Sequence, residues 1–132
     1  MSDARPVETL RKRRDFLAAA RARRWAADAF VLQARRRAEA ETPEPDAIRV
    51  GFTCSKKLGN APTRNRAKRR LREAARARLP LLGAPGWDYV LVGRPEATVA
   101  RPFALMLADL ETALRRVHAP KPEPKPERKP RA

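Results

Sequence analysis

The sequence has few of the residues from which protein active sites are usually built. It contains one cysteine, one histidine, one tyrosine and two serines, which are Cys54, His118, Tyr89, Ser2 and Ser55. A nucleophile, a base and an orienting acid can hardly be assembled from this set. One cysteine cannot form an internal disulfide, and one histidine cannot complete a Cys/His metal site. We therefore expect no catalytic side chain and no protein metal site. Cys54 should be a small packed hydrophobe, and His118 should lie at a helix end where the helix dipole favours its charge.

Long apolar segments and nucleotide-binding loops are also missing from the sequence. No apolar run approaches the roughly 20 residues that a membrane-spanning helix requires, and the first residues lack the apolar core of a signal peptide, so we expect a cytoplasmic protein. No Gly-x-x-x-x-Gly-Lys-Ser/Thr loop is present, which argues against nucleotide hydrolysis. The carboxylates are scattered and form no pair of the kind found in two-metal nucleases. They include Asp15, Asp28, Asp88, Asp109 and Glu111.

Positive charge is what the sequence has in excess. Lys and Arg total 31 against 15 Asp and Glu, which gives a formal net charge of +16. Such an excess attracts polyanions, so the expected partner is a nucleic acid or, with less support, an anionic membrane surface. A chain of 132 residues is long enough for one compact domain. We predict a single RNA-binding domain over residues 1–119 and a disordered tail, rich in Pro and Lys, over residues 120–132.

The pattern of apolar residues predicts an α+β fold in which helices pack on a small sheet. In chain order, the predicted elements are a helix over residues 9–21, strands within 25–37 and over 48–55, a helix over 62–79, a strand over 87–94 and a helix over 101–117. In the first helix, Leu10 and Leu17 would share one side. In the last helix, spacings of three and four predict these core residues: Phe103, Met106, Leu107, Leu110, Leu114 and Val117.

The strand over residues 48–55 alternates cleanly between apolar and polar positions, and so predicts one buried and one open sheet face. The apolar face comprises Ile48, Val50, Phe52 and Cys54. The polar face comprises Arg49, Gly51, Thr53 and Ser55. The segment before this strand is acidic and holds two prolines, so it should form a solvated loop.

The helix over residues 62–79 carries the strongest functional signal. Within the nine residues from Arg64 to Arg72, six are Arg or Lys and none is acidic. Asn60 can cap this helix, and Pro62 suits its first turn. On a helical wheel, a narrow apolar side comprises Ala67, Leu71, Ala74 and Ala75. The opposite, cationic side comprises Asn65, Arg69, Arg72 and Arg76, flanked by Arg66, Lys68 and Arg70.

A cationic side of this kind suits phosphate groups, because the planar donors of Arg bind phosphate through two hydrogen bonds. A helix face that is merely solvated would normally mix signs, yet only Glu73 interrupts the charge here. The sequence shows no helix-turn-helix around this element, which argues against DNA recognition. Folded RNA brings phosphates close together, and an open sheet face can receive an unpaired strand. We therefore predict that the partner is RNA.

The segment "RVGFTCSKKLGNAPTRNRAKRRLREA", residues 49–74, resembles the signature of the protein subunit of bacterial ribonuclease P. The hallmark of that family is an Arg-Asn-Arg helix that follows a Ser-Lys-Lys-x-Gly turn. The similarity extends to "RKRRDF" before this segment and to "GWDYVLVGRPEA" after it. It covers most of residues 5–117 and leaves out the proline-rich tail.

The resemblance implies both a fold and a division of labour. The implied fold is a small mixed sheet packed by helices in the order αβββαβα, with a left-handed strand–helix–strand crossover, as in the second domain of ribosomal protein S5. The implied partners are ribonuclease P RNA and precursor tRNA, with no membrane and no small-molecule substrate. The RNA, with magnesium bound mainly by the RNA, would cleave off the 5′ leader. The protein would assist by positioning the substrate and by reducing phosphate repulsion.

Site residues are carried over by position from the same resemblance. The implied RNA-binding residues are Lys56, Lys57, Arg64, Asn65, Arg66, Lys68, Arg69, Arg72 and Arg76. A cleft between the basic helix and the open sheet face would receive the single-stranded leader. Its implied residues are Phe16, Val31, Gln33, Thr53 and Ser55. Family members can carry aromatic residues where this chain has Ala20 and Gln33, so leader binding here should depend more on charge.

Two alternatives remain open from the sequence. A structural RNA-binding protein of the ribosomal kind would also account for the charge and for the combination of sheet and helices. A protein nuclease that acts alone is disfavoured by the lack of candidate catalytic residues. For Phe16, simple core packing is the alternative to a role in the cleft.

Overall fold

The computed structural model describes residues 6–38, 41–42 and 44–119. Its elements are β1 (Val7–Thr9), α1 (Arg13–Ala20), β2 (Arg23–Ala26), β3 (Phe30–Arg36), β4 (Ile48–Thr53), a 3-10 turn (Lys56–Leu58), α2 (Ala61–Leu82), β5 (Trp87–Gly93), α3 (Ala97–Ala100) and α4 (Phe103–His118). The predicted α+β class and the three strands between α1 and α2 are confirmed. The predicted tail over 120–132 and part of the acidic loop lie outside the described residues.

The five strands form one mixed sheet in the order β1-β4-β5-β3-β2. β4 pairs in parallel with both β1 and β5, whereas β3 pairs antiparallel with β5 and with β2. Two neighbouring parallel strands need a long connection, and α2 supplies it between β4 and β5. The predicted strand–helix–strand crossover is therefore confirmed, and its left-handed sense stays a prediction.

One face of the sheet is covered by α2 and α4, and the main hydrophobic core lies between them. Side chains such as Leu32, Ile48 and Leu91 from the sheet pack with Leu71 of α2 and Leu110 of α4, all of them fully buried. The predicted apolar side of α2 is confirmed, since Ala67, Leu71, Ala74 and Ala75 are buried. The predicted inward face of β4 is confirmed at Ile48 and Val50. We call this face of the sheet the helix face.

The opposite face of the sheet, which we call the open face, is partly covered by α1. A smaller hydrophobic cluster forms there from Leu10, Ala19 and Val90, with Phe16 and Val92 packed against it. Gly51 lies beneath the Phe16 ring, and a Cβ atom at residue 51 would come within 2.5 Å of two ring carbons. Only glycine therefore lets α1 lie this close to β4.

The N-terminal helix is shorter than predicted. It begins at Arg13, because residues 7–9 continue as a strand that pairs with β4. Leu10 is buried in the link between them, where its N–H donates to the Val50 carbonyl at 2.8 Å. The prediction that Leu10 and Leu17 share one buried helix side is wrong, since Leu10 precedes the helix and Leu17 is 44% exposed.

Three further features differ from the predictions: the end of α2, the number of strands within residues 25–37, and the presence of α3. α2 continues through Pro80 to Leu82 and ends where the Gly83 N–H donates to the Leu79 carbonyl at 2.8 Å. Residues 25–37 do not form one strand but contribute to a hairpin of β2 and β3. The one-turn helix α3 was not predicted. α4 agrees closely with its prediction, except that Phe103 is exposed and Leu107 is only partly buried.

Candidate nucleic-acid interface

The cationic side of α2 is positioned by a tight connection from β4. Ser55 caps the 3-10 turn, where its hydroxyl accepts a hydrogen bond from the Lys57 N–H at 3.3 Å. Gly59 has φ +134°, a conformation that favours glycine, and it leads directly into the cap of α2. The Asn60 side chain accepts a hydrogen bond from the Thr63 N–H at 3.0 Å, as predicted. Lys56 and Lys57, both exposed, therefore lie beside the start of the basic helix.

The predicted cationic residues of α2 lie on the side that faces away from the core. Asn65, Arg66, Arg69, Arg72 and Arg76 are exposed, and Arg64 and Lys68 are partly buried at its margins. Within the described residues, Arg76 alone among them has a carboxylate within salt-bridge distance, namely Glu73 at 3.7 Å. Both groups of that pair are largely exposed, so the pair contributes little. The cationic side is thus available for an external anion.

Arg70 belongs to the helix but not to this exposed surface. Its Nε donates to the Thr98 carbonyl at 2.9 Å, and its Nη2 donates to the Arg101 carbonyl. The guanidinium also lies over the Phe103 ring, 5.9 Å from the ring centroid. Arg70 therefore holds α2 against the segment between α3 and α4.

Four of the five predicted cleft residues come together on the open face. Strand register places Val31, Val92 and Thr53 side by side in one row, and Gln33, Val90 and Gly51 in the next. Phe16 lies over Gly51 at the end of the second row. The fifth predicted residue, Ser55, lies beyond the end of β4, where its hydroxyl caps the 3-10 turn.

The helix that borders this cleft is α1 rather than α2. The apolar side of α2 packs on the helix face of the sheet, so α2 cannot also cover Val31, Gln33 and Thr53 on the open face. The prediction that the cleft lies between the basic helix and the open face is wrong in this respect. Phe16 is half-buried and packs on the small cluster with Leu10 and Val90, so it combines core packing with a position in the cleft.

An arginine on the open face escaped the sequence analysis. Arg24 of β2 lies directly opposite Gln33 of β3, and it is exposed. The alternation of side chains around Trp25 could have placed Arg24 on this face. The sequence did not show where β2 begins and ends, so Arg24 could not be assigned to a strand. Arg24 extends the row formed by Gln33, Val90 and Gly51 to the edge of the sheet, and it adds positive charge there.

A buried carboxylate supports the open face from one end. Asp88 is fully buried and accepts two hydrogen bonds from Arg49, from Nε and Nη2, both at 2.7 Å. It also accepts one from Arg37 Nη1 at 2.7 Å, and Arg35 Nη1 lies 3.4 Å away. Arg49 Nη2 lies 3.5 Å from Asp15 of α1. The hydrogen bonds that Arg49 donates to Asp88 raise the pKa of Arg49. Through Arg49, the network connects α1 to the sheet.

The carboxylates of the described residues do not suit a magnesium ion. Asp15 and Asp88 lie close to arginine side chains, which compete with a cation for the same oxygens. In the part of the chain that the structure describes, no three His, Cys, Asp or Glu side chains are grouped so that they could hold a metal ion. No helix there is long and apolar enough to cross a membrane.

The two residues set aside in the sequence analysis both lie against the protein interior. Cys54 is half-buried and packs on the core as predicted, and burial raises the pKa of its thiol. His118 lies in the last turn of α4, where its Nε2 and the Tyr89 hydroxyl are hydrogen-bonded at 2.6 Å. Burial, and then the charge of Arg23, lower the pKa of His118. The expectation that the helix dipole favours its charge is therefore outweighed.

Comparison with known proteins places this geometry in a family. The model of the family "Ribonuclease P" matches residues 5–118. A "Ribonuclease P protein component" from Ruegeria pomeroyi is 63% identical over 116 residues, which cover 88% of this chain and 90% of that protein. One from Paramagnetospirillum magneticum is 50% identical over 114 residues, 86% of this chain and 84% of that protein. The solved RNase P protein from Thermotoga maritima has a TM-score of 0.68 and 28% identity, covering 85% of this chain and 99% of that one.

Proposed function

Because the chain belongs to the ribonuclease P protein family, we propose that it is the protein subunit of a ribonuclease P ribonucleoprotein, which removes the 5′ leader of precursor tRNA. In this proposal the protein binds ribonuclease P RNA and the leader. The observation that carries the proposal is the exposed cationic side of α2, which lacks carboxylate partners apart from Glu73 within the described residues.

The length and chemistry of α2 support contact with a folded RNA. Its 22 residues give a rod of about 33 Å, which spans several phosphate groups. Arg66, Arg69 and Arg72 can each bind a phosphate through two hydrogen bonds. Lys56 and Lys57 extend the positive charge past the start of the helix. We assign ribonuclease P RNA to this surface.

The open face supports contact with a single strand. Phe16 offers a partly exposed ring on which a base can stack, and Val31 and Val92 form an apolar floor beside it. Gln33 and Thr53 provide hydrogen-bonding groups, and Arg24 provides charge for the backbone of the strand. Since Ala20 and Gln33 are not aromatic, stacking depends on Phe16 and the affinity depends more on charge. We assign the precursor leader to this face.

We assign no catalytic step to the protein. The chain contains few candidate nucleophiles, and the fully buried carboxylate of Asp88 is bound by arginines. Magnesium would be bound mainly by the RNA partner, since the described carboxylates do not suit it. The protein contributes by holding the RNA and the substrate together, so that a bimolecular reaction becomes effectively unimolecular.

The proposal can be tested with purified protein, precursor tRNA and a bacterial ribonuclease P RNA at low magnesium concentration. The RNA alone should cleave slowly, the protein alone should not cleave, and the mixture should cleave faster than the RNA alone. If the protein has no effect on the RNA reaction, a structural RNA-binding role would be favoured. Cleavage by the protein without the RNA would instead indicate a protein nuclease.

A further inference from the structure

A small groove lies between the edge of the sheet and α2, on the helix face. Its volume is about 250 Å³. Val7 and Thr9 of β1, Val50 and Phe52 of β4, and Arg72, Ala75 and Arg76 of α2 line it. The groove therefore has an apolar floor and two arginines on one rim. None of the site residues assigned to the leader lies in it, because those residues occupy the opposite face of the sheet.

The floor and the rim of the groove are arranged as a stacking site. The Phe52 ring is half-buried, so one side packs on the core and the other side faces the groove. The Arg72 guanidinium lies over this ring, 5.9 Å from the ring centroid. Planar aromatic and guanidinium groups are the side chains on which unpaired RNA bases stack.

The groove also offers charge and hydrogen-bonding groups. Arg76 is exposed, and its contact with Glu73 is long at 3.7 Å, so an anion can replace that carboxylate at small cost. Thr9 is exposed at the opposite rim. Among the described strands, β1 pairs only with β4, so its outer backbone groups can bond to the edge of a base. Apolar, cationic and polar groups thus surround one small space.

We propose that this groove binds one unpaired nucleobase of the RNA partner, with the adjoining phosphate on Arg76. The inference rests on the proposed function, since it adds a base-recognition site to the flank of a helix otherwise expected to contact phosphates. An acidic peptide would also be attracted by the arginines, but it would make no use of the stacking geometry at Phe52. A base with its phosphate would use both the stacking surface of Phe52 and Arg72 and the positive charge of Arg76.

Methyl NMR can test the groove without any substitution. The probes are adenosine 5′-monophosphate, uridine 5′-monophosphate and, as the reference without a base, ribose 5-phosphate. Ring currents from a bound base should shift the methyl signals of Val7, Thr9 and Val50. Ribose 5-phosphate should leave those signals nearly unchanged. Equal shifts with all three probes, or no shift with either nucleotide at millimolar concentration, would overturn the proposal.

Filling the groove provides a second test in the full RNA complex. Thr9→Phe places an aromatic side chain in the groove on an edge strand, where aromatic residues are well tolerated. It should weaken binding of ribonuclease P RNA by about 5- to 150-fold, the loss expected for one stacked base. The slope of log affinity against log salt should fall by about 1 at most, because only the phosphate contact at Arg76 can be lost together with the base. The same change on α4, Thr112→Phe, should leave the affinity within twofold of the wild type.

The outcomes separate this inference from the proposed function. If Arg66→Ala with Arg69→Ala weakens RNA binding while Thr9→Phe binds like the wild type, the phosphate-binding helix stands and the base site is wrong. If neither variant affects RNA binding, the proposed function of α2 fails as well. Equal losses for Thr9→Phe and Thr112→Phe would show a general effect on the fold and overturn the base site.

Discussion

At the scale of single residues, the contact between Gly51 and Phe16 sets the height of α1 above the sheet. A methyl group at residue 51 would overlap two carbons of the Phe16 ring. Phe16 is also the aromatic residue assigned to the leader. The missing side chain at residue 51 therefore positions the side chain that we assign to the leader.

Gly51→Ala should lower the free energy of unfolding by about 1–3 kcal/mol, the usual cost of overpacking. It should also weaken leader binding, since the Phe16 ring must move. Urea unfolding measures the first effect, and binding of precursor tRNA compared with mature tRNA measures the second. In a Phe16→Ala background the same change should cost much less. An equal cost in both backgrounds would contradict the predicted clash.

Asp88 is a second single residue on which the stability of the fold depends. Its carboxylate accepts hydrogen bonds from Arg37 and Arg49, which lie far from it in sequence. Asp88→Asn keeps the shape and removes the charge, so Arg37 and Arg49 lose their buried partner. We expect the free energy of unfolding to fall by about 3–5 kcal/mol. Chemical denaturation would show this loss, whereas Asp46→Asn, on an exposed loop residue, should change stability by less than about 0.5 kcal/mol. Similar losses in the two variants would refute the role of Asp88.

At the scale of elements, α2 could be predicted from the sequence because its signals are local. The apolar positions Ala67, Leu71 and Ala74 are spaced by four and three residues, and the Asn60 cap lies seven residues before the first of them. β1 could not be predicted, because three residues are too few to establish an alternation. Because β1 was not predicted, Leu10 was assigned to α1, since Leu10 and Leu17 are spaced as in a helix. The predicted end at residue 79 was too early, because the last turn of α2 accommodates Pro80.

The cationic side of α2 should determine the salt dependence of RNA binding. Removing two phosphate contacts with Arg66→Ala and Arg69→Ala should reduce the slope of log affinity against log salt by about 2. Binding of ribonuclease P RNA, measured over a series of salt concentrations, gives this slope. The variant Arg115→Ala with Arg116→Ala removes the same charge from α4. If that variant reduces the slope equally, the effect is one of net charge and not of this surface.

At the scale of the whole molecule, charges that are buried are paired, whereas the cationic side of α2 is exposed and has few carboxylate partners among the described residues. The buried charges are matched through contacts such as Arg37 with Asp88, which are 51 residues apart. No sequence pattern relates such partners, so the sequence analysis described the carboxylates as scattered. The same limit explains why the open face was composed correctly, apart from Ser55, but assigned to the wrong neighbouring helix. Strand parity determines which residues share a face, but not which helix covers that face.

Stability should fall as the pH is lowered from 7.5 to 5.5. The pKa of His118 is lowered from 6.5 in the folded protein, so the unfolded chain takes up this proton first. Proton uptake then favours unfolding by about 1.4 kcal/mol for each unit of the pKa difference. Because His118 is the only histidine, His118→Gln should remove this pH dependence. Denaturation at several pH values measures it, and an unchanged slope in the variant would show that another group titrates.

The alternation of β4 has a consequence for how two nucleic-acid segments are held together. Phe52 faces the groove beside α2, while its neighbours Gly51 and Thr53 face the cleft beneath α1. A base seated on one side and a leader on the other would be separated only by the thickness of a single strand. The strand would then act as a rigid spacer, and inserting one residue in it would exchange the two sets of side chains. Both binding surfaces would be lost in one step.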